Sequence, residues 1–331
     1  HPFKVALVGL DNQTVPDWVE GRFAEEQIAF VQRECTSREE LAEIAGDADV
    51  VWVFGSHRCV YAENLDVMPR CGAIIRTGSG TDNVPVAEAT ARGIIVANTP
   101  DAVTEAVAEH MIALMFALIR QVAVQDRAVR RGVWDRYLAW PDGHLHGQAL
   151  GLLGFGRIPQ SIVRKLRGFD LTVLVFDPYA DPWKAQELGV RLTDLDTVLA
   201  ESDYLSLHTP LTEETHHLIN EETLRRMKTG AILINTSRGP VVDQQALVQA
   251  LKAGWIKAAG LDVTETEPLA SDSPLLALDN VVLTPHIAGY SDESQDNCWH
   301  LSVETAIDLA HGRWPKSYVN RDVKPIWKLE H

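Results

Sequence analysis

Short, continuously apolar runs alternate with helix-patterned stretches through most of this chain, and that alternation restricts the fold more than any other feature. Phe3–Gly9, Asp49–Phe54, Ala73–Thr77 and Ile94–Ala97 read as buried strands. Ser37–Ala45, Ala62–Met68 and Val86–Arg92 read as helices between them. Apolar runs without polar alternation are buried on both faces, so the pattern predicts a parallel sheet with helices on each side. Asn98-Thr99-Pro100 interrupts it, because a residue before proline is steered away from helix.

From Val103 to Arg131 the spacing predicts one long helix, with Val107, Met111, Leu114, Met115, Leu118 and Val122 on a single face. Phe116, Ala117 and Ile119 fill its other faces, so its middle is expected to be buried all round, between domains or between subunits. A polar, aromatic stretch follows, Gly132–Gly147. The alternation then restarts at Leu150–Gly154 and runs through Leu171–Phe176, Tyr204–Leu207, Ala231–Asn235, Ala258–Asp262 and Val281–Thr284. A helix over about Ser291–His311 completes the pattern. Two such arrays in 331 residues predict two α/β domains.

The net charge of −16 argues against a nucleic-acid or anionic-membrane partner, which would need a basic surface. The longest apolar run, Met111–Ile119, is about half of the roughly 20 residues a bilayer requires. Cys35, Cys59, Cys71 and Cys298 show no CxxC pairing and read as reduced thiols of a cytoplasmic protein. Leu329-Glu330-His331 reads as a tag remnant and is set aside.

Chemistry concentrates in the second array. Gly154-Phe155-Gly156-Arg157-Ile158 follows a strand and opens a helix. The first glycine permits a tight turn, and the second lets backbone approach a pyrophosphate seated on the helix N-terminus. The next strand ends at Asp177, 21 residues after Gly156, where a carboxylate would grip a ribose 2′-OH. This points to NAD. The third position of the glycine pattern is Pro159, which is tolerated in a first helical turn but is bulkier than glycine, so a weakened site is expected.

Arg238, Glu267 and His286 each lie just beyond a strand-like run of the same array. Ligands of open α/β sheets bind outside the carboxyl ends of the strands, so the three are expected to converge there. A cation for an anionic substrate, an imidazole to move a proton and a carboxylate to tune it make an acid–base site. Gly78-Ser79-Gly80, at a strand end of the first array, would present backbone N–H groups as an anion nest. Arg76 just before that loop, and His57 and Arg58 after the second strand-like run, could read a second anionic group such as a phosphate or distal carboxylate. His216 and His217 are adjacent, a poor spacing for one metal, and no metal site is expected.

These motifs, in this order, resemble the D-isomer-specific 2-hydroxyacid dehydrogenases over nearly the whole chain. The likeness runs through Thr77–Val84, Asn98-Thr99-Pro100, Val107-Ala108-Glu109-His110, Gly154–Ile158, Ser206–Leu211, Asn235–Val242, Asp262–Pro268 and Thr284-Pro285-His286. Tyr290–Ser294 leans toward the branch with C-terminal-binding-protein-like members. The resemblance implies an α/β fold of two doubly wound parallel-sheet domains. A Rossmann cofactor domain (102–289) would be inserted into a flavodoxin-like substrate domain (1–101 and 290–328).

It also implies roles. Arg238 would bind the substrate carboxylate and carbonyl, His286 would be the acid/base, and Glu267 its partner. Ser79 and Gly80 would hold the carboxylate by N–H groups, and Arg76 matches a position used in some phosphoglycerate dehydrogenases. Phe54-Gly55-Ser56 lacks the arginine expected beside that serine, which disfavours phosphoglycerate. Arg157 would lie near the pyrophosphate, Thr209 would line the adenine pocket and Asp262 the nicotinamide side, with Ile158 and Pro210 also in the cofactor set. Thr104, Thr236 and Ser237 complete the implied cofactor set.

The expected activity is NADH-dependent reduction of a small 2-keto acid to the D-2-hydroxy acid, and its reverse. The cofactor and the acid would meet in an interdomain cleft whose closure assembles the site, and the long helix suggests a homodimer. Two rivals stay open: a phosphoglycerate dehydrogenase-type enzyme, and an NAD-sensing, corepressor-like interaction protein marked by an exposed peptide groove.

Overall fold

The structure is a computed structural model that describes residues 2–139 and 144–330. His1, His331 and part of the polar stretch 132–147 lie outside the described residues. The chain divides into two compact units, His1–Val103 with Ser291–His331, and Thr104–Tyr290.

The first unit holds a five-stranded, all-parallel sheet in the order β2-β1-β3-β4-β5. The strands are β1 (Lys4–Gly9), β2 (Ala29–Gln32), β3 (Val50–Val53), β4 (Ala73–Arg76) and β5 (Ile95–Asn98). β3, β4 and β5 are buried at every position, as their unbroken apolar runs require. Successive side chains serve opposite faces. Val5, Leu7, Val50, Trp52, Ala73 and Ile75 join Trp299, Val303 and Ile307 of the Asp292–Ala310 helix in one cluster. Ala6, Val8, Val51, Val53, Ile74 and Val96 join Leu41, Leu65 and Met68 in the other. The outer edge of β5 is covered antiparallel by the chain near Tyr318, where Asn98 N–H donates to Ser317 O and Val319 N–H to Val96 O.

The second unit holds a seven-stranded parallel sheet in the order β12-β11-β10-β9-β6-β7-β8. Its strands are β6 (Ala149–Leu153), β7 (Thr172–Phe176), β8 (Arg191–Leu192), β9 (Tyr204–Leu207), β10 (Ile232–Asn235), β11 (Ala258–Leu261) and β12 (Val281–Leu283). Strand order reverses beside β6, which pairs with β7 on one side and β9 on the other. The glycine turn therefore leaves the sheet at the switch point where doubly wound folds bind ligands.

Several expectations are corrected. The single helix 103–131 is two, Pro100–Ile119 and Val122–Arg130, separated at Gln121 in the left-handed region (φ 52°). The apolar spacing continues through Val122, so periodicity alone does not register the break. Nor is the middle of the first helix buried all round: Met111, Leu114, Met115 and Leu118 are buried, while Ala113 is exposed. That helix is long and apolar enough to cross a membrane by length and composition, which the shorter run Met111–Ile119 did not suggest. Its buried side packs on Leu150, Leu152 and Ile162 of the second unit. Ala62–Val67 is a 3₁₀ helix. Leu329 and Glu330, set aside from the sequence, take part in the fold. Leu329 packs on the first unit's core, and Glu330 exchanges backbone hydrogen bonds with Gly312 and Trp314. All four cysteines are free and buried. Burial pushes the Cys59, Cys71 and Cys298 thiols up to about 12.

Candidate active site

β10, β11 and β12 are neighbours in register, so the loops that leave their carboxyl ends emerge side by side. These loops carry Arg238, Glu267 and His286. Asn235, buried at the end of β10, ties the first loop back on itself. Its Nδ2 donates to Arg238 O at 2.9 Å, and its Oδ1 accepts from Ser237 N–H at 3.0 Å and Ser237 Oγ at 2.8 Å. Gly239 then passes against the second loop. A Cβ there would stand 1.8 Å from Thr264 O and 2.6 Å from Glu265 N, so only glycine allows this approach.

Glu267 Oε2 meets His286 Nδ1 at 2.7 Å, and Thr264 N–H donates to Glu267 Oε1 at 3.1 Å. Burial alone would raise the Glu267 carboxyl. The His286 hydrogen bond and charge, the Thr264 N–H and the charge of Arg238 outweigh it and hold the group below the usual carboxylate range. Glu267 is therefore an anion at neutral pH, with His286 on one oxygen and the field of Arg238 across it.

His286 lies in the left-handed region, φ 53°, where non-glycine residues are uncommon and persist only when their surroundings over-determine them. Asp262, buried at the end of β11, supplies that constraint. Its backbone O accepts from His286 N–H at 2.7 Å. Its carboxylate accepts from Thr284 Oγ1 (2.6 Å), Ile287 N–H and Ala288 N–H (2.9 Å each). One carboxylate thus grips the chain on both sides of His286. Thr284 gives its only proton to Asp262, so its contact with His110 Nε2 at 2.9 Å is accepted from an imidazole N–H. The sequence reading did not single out His110 or Asn235 as site residues. Their partners lie 174 and 3 positions away, and only the short-range one leaves a local trace.

The residues around the glycine turn fit a dinucleotide. Gly154 has φ +95°, and a Cβ on it would press on His208 O at 2.7 Å. His208 is partly buried and paired with Ser206, and desolvation pushes its imidazole down to about 3, so it is neutral. A Cβ on Gly156 would meet only open space, the cradle a pyrophosphate needs. Arg157 and Ile158 open the Arg157–Leu166 helix, and Pro159 sits buried in its first turn without interrupting it. Asp177 is fixed at the end of β7, accepting from Phe155 N–H and Tyr179 N–H at 2.8 Å each. Thr209 Oγ1 and Thr236 Oγ1, just past β9 and β10, are enclosed with no hydrogen-bond partner among the described residues. An orphaned buried hydroxyl costs about 1–3 kcal/mol, so two of them beside the switch point favour a polar ligand there. Pro210 follows Thr209 and is held by Thr215 Oγ1 at 2.6 Å, while Thr104 is buried in the Pro100–Ile119 helix.

In the first unit, Gly78-Ser79-Gly80 follows β4. Gly78 N–H is taken by Thr99 Oγ1 at 2.7 Å and Ser79 O by Asn98 Nδ2 at 2.8 Å, so the loop is pinned at its rear while Ser79 is exposed. Arg76 is buried and faces inward. Its Nε donates to Asn83 Oδ1 at 3.1 Å and its Nη1 to Thr77 O at 2.9 Å. Asn83 in turn donates to His57 O at 2.7 Å. His57 Nε2 is engaged with Glu34, while its Nδ1 is buried with no hydrogen-bond partner among the described residues. Among the described residues there is no cluster of three or more metal-ligating side chains.

Residues 112–288 match the family model described as D-isomer specific 2-hydroxyacid dehydrogenase, NAD binding domain. A glyoxylate reductase of Korarchaeum cryptofilum is 46% identical over 270 residues, covering 80% of this chain and 81% of the relative. A D-3-phosphoglycerate dehydrogenase of Archaeoglobus fulgidus is 40% identical over 284 residues, 86% of this chain but 54% of that protein. Among solved structures, the NADPH-dependent glyoxylate/hydroxypyruvate reductase of Sinorhizobium meliloti, in complex with NADP and malonate, superposes with a TM-score of 0.84. It is 28% identical and both chains are covered completely.

Proposed function

The chain belongs to the D-isomer-specific 2-hydroxyacid dehydrogenases, and on that footing we propose that it reduces a small 2-keto acid of the glyoxylate kind to its D-2-hydroxy acid with NADH. The observation that carries the reading is the 2.7 Å contact of His286 with Glu267, under the charge of Arg238, beside the glycine turn's switch point.

The bound dinucleotide supplies a hydride; the proton comes from the protein. Hydride addition leaves charge on the carbonyl oxygen, and His286 gives that oxygen a proton from the ring nitrogen not facing Glu267. Glu267, an anion fixed by Thr264, accepts from the ring at Nδ1 and so orients it toward the carbonyl oxygen. Arg238 holds the substrate carboxylate and polarises the carbonyl. In the first unit, the Ser79 and Gly80 N–H groups, with Arg76 behind them, are assigned to an anionic substrate group. Gly154, Gly156, Arg157, Ile158, Thr209, Pro210, Thr236, Ser237, Asp262 and Thr104 are assigned to the dinucleotide, with Asp177 on its ribose.

The same proposal makes the protein a cytoplasmic homodimer. Four buried free thiols suit a reducing compartment. Val129, Val133, Trp134, Tyr137 and Leu138 are at least 45% exposed within ten residues, which suits a subunit contact. The experiment is a panel of glyoxylate, pyruvate, hydroxypyruvate, phosphohydroxypyruvate and a bulky aromatic keto acid, followed by NADH absorbance. Turnover highest with glyoxylate or hydroxypyruvate supports the reading. Turnover only with phosphohydroxypyruvate moves the assignment to the phosphoglycerate type, and none with any acid refutes it.

A further inference from the structure

We propose that His217 is a positioning residue for the acid–base site: acting through Glu265, it latches the loop of Glu267 onto the loop of Arg238. The inference rests on the roles given to Arg238, Glu267 and His286 above. His217 touches none of these three side chains among the contacts described.

The chain at 217–219 lies parallel to 240–243, the segment that follows Arg238. His217 N–H donates to Pro240 O at 2.9 Å, Ile219 N–H to Val241 O at 3.0 Å and Asp243 N–H to Ile219 O at 2.8 Å. Ile219 is fully buried, so the backbone of His217 is fixed to the Arg238 loop. The side chain then reaches the other loop, where Nε2 meets Glu265 Oε1 at 2.7 Å. A carboxylate has no proton to give, so Nε2–H is the donor. Glu265 is also tied to Gln244, whose N–H donates to Glu265 Oε2 at 3.2 Å and whose Oε1 accepts from Glu265 N–H at 3.2 Å.

These bonds lie where the two loops touch by backbone, at Gly239 and Thr264. That touch is van der Waals packing, with no hydrogen bond between Gly239 and Thr264 among those described. The pull across it comes from His217 and Gln244 on Glu265. Glu265 stands two residues before Glu267, and Thr264 N–H binds Glu267 directly, so a shift of Glu265 is transmitted to the partner of His286. His217 is held at φ 51°, in the left-handed region, and its ring stacks on His216 at 4.0 Å, which fixes the direction of the donor.

The test compares His217→Phe, which keeps a flat ring without the donor, with His217→Gln, whose amide nitrogen restores a donor at similar reach. Small misplacements of reacting groups are costly, so the Phe variant is expected to raise KM for glyoxylate about tenfold and lower kcat about tenfold. NADH Kd should stay within about twofold and the Gln variant within about threefold of wild type, since the cofactor residues are untouched. Glu265→Ala breaks the latch from the other side and serves if the Phe variant does not fold. The double variant should lose no more than either single one. Unchanged kinetics in the Phe or Glu265→Ala variant, equal losses in Phe and Gln, additive losses in the double variant, or a parallel rise in NADH Kd would each overturn the proposal. A wild-type protein that reduces no 2-keto acid removes the functional reading and this inference together. An active enzyme indifferent to His217 removes only the inference.

Discussion

Gly239→Ala isolates the geometry of the site without touching its chemistry. The new methyl would stand 1.8 Å from Thr264 O, 2.0 Å from Thr264 C and 2.6 Å from Glu265 N, all backbone atoms. Bringing the nearest of these to an ordinary 3.4 Å contact needs about 1.6 Å of separation between the loops of Arg238 and Glu267. Gly239 does not occupy the left-handed region, so alanine adds no backbone strain and the effect is steric alone. Overpacking of this kind costs about 1–3 kcal/mol of stability. Misplacing a catalytic group by about an ångström costs on the order of 10² in rate. We expect kcat/KM for glyoxylate to fall about a hundredfold, with a modest drop in Tm, while NADH Kd by calorimetric titration is kept. Gly230→Ala, where a Cβ meets nothing within 4 Å, is the control and should be silent. Wild-type kcat/KM in the Gly239 variant would refute the claim that this seat sets the distance between Arg238 and Glu267.

Asp177 should make NADH preferred over NADPH by about a hundredfold or more, because a carboxylate about 4 Å from a 2′-phosphate repels it by roughly 4 kcal/mol per charge pair at an effective dielectric of 20; equal kcat/KM for the two cofactors would sink that assignment. The Glu267 carboxyl is held below its ordinary value of 4.5, so its pairing stabilises the fold above that pH and is lost as pH falls through the folded value. The Tm advantage of wild type over Glu267→Gln should therefore be largest near neutrality and shrink below about pH 4.5; a gap that widens on acidification contradicts the sign. Replacing Trp134 and Tyr137, 86% and 72% exposed, with serine should convert a sedimenting dimer to monomer with each unit still folded, and a wild-type monomer would remove the subunit-contact reading.

Much of the scaffold was legible because its strands are the kind that declare themselves. Val50–Val53, Ala73–Arg76 and Ile232–Asn235 are short apolar runs buried on both faces, and no other environment suits them. The glycine turn and Asp177 were legible for a local reason, since each acts through the backbone within one βα unit. What escaped notice has weak local signal. The Asp17–Glu25 helix buries only Val19 and Phe23, and β2 is a half-exposed edge strand. The break at Gln121 is a single left-handed residue inside continuous apolar spacing. In the site, Arg238, Glu267 and His286 could be named from their places after strands. The seat at Gly239, the Asp262 grip on 284–288 and the His217–Glu265 contact are tertiary facts, the last between residues 48 apart. Arg76 shows the same limit. Its residue type suggested a substrate cation, while its hydrogen bonds to Asn83 and Thr77 O, which hold it behind the Gly78-Ser79-Gly80 loop, are contacts the sequence does not show.

The most direct test of the central claim is the turnover of His286→Ala with glyoxylate and NADH, measured beside its NADH Kd. If the proton comes from this imidazole, kcat falls by about 10²–10⁴ while NADH binding stays within about twofold, because His286 serves the carbonyl oxygen and not the dinucleotide. Wild-type-like kcat in the variant would mean that the proton comes from elsewhere and that the contact between His286 and Glu267 is structural.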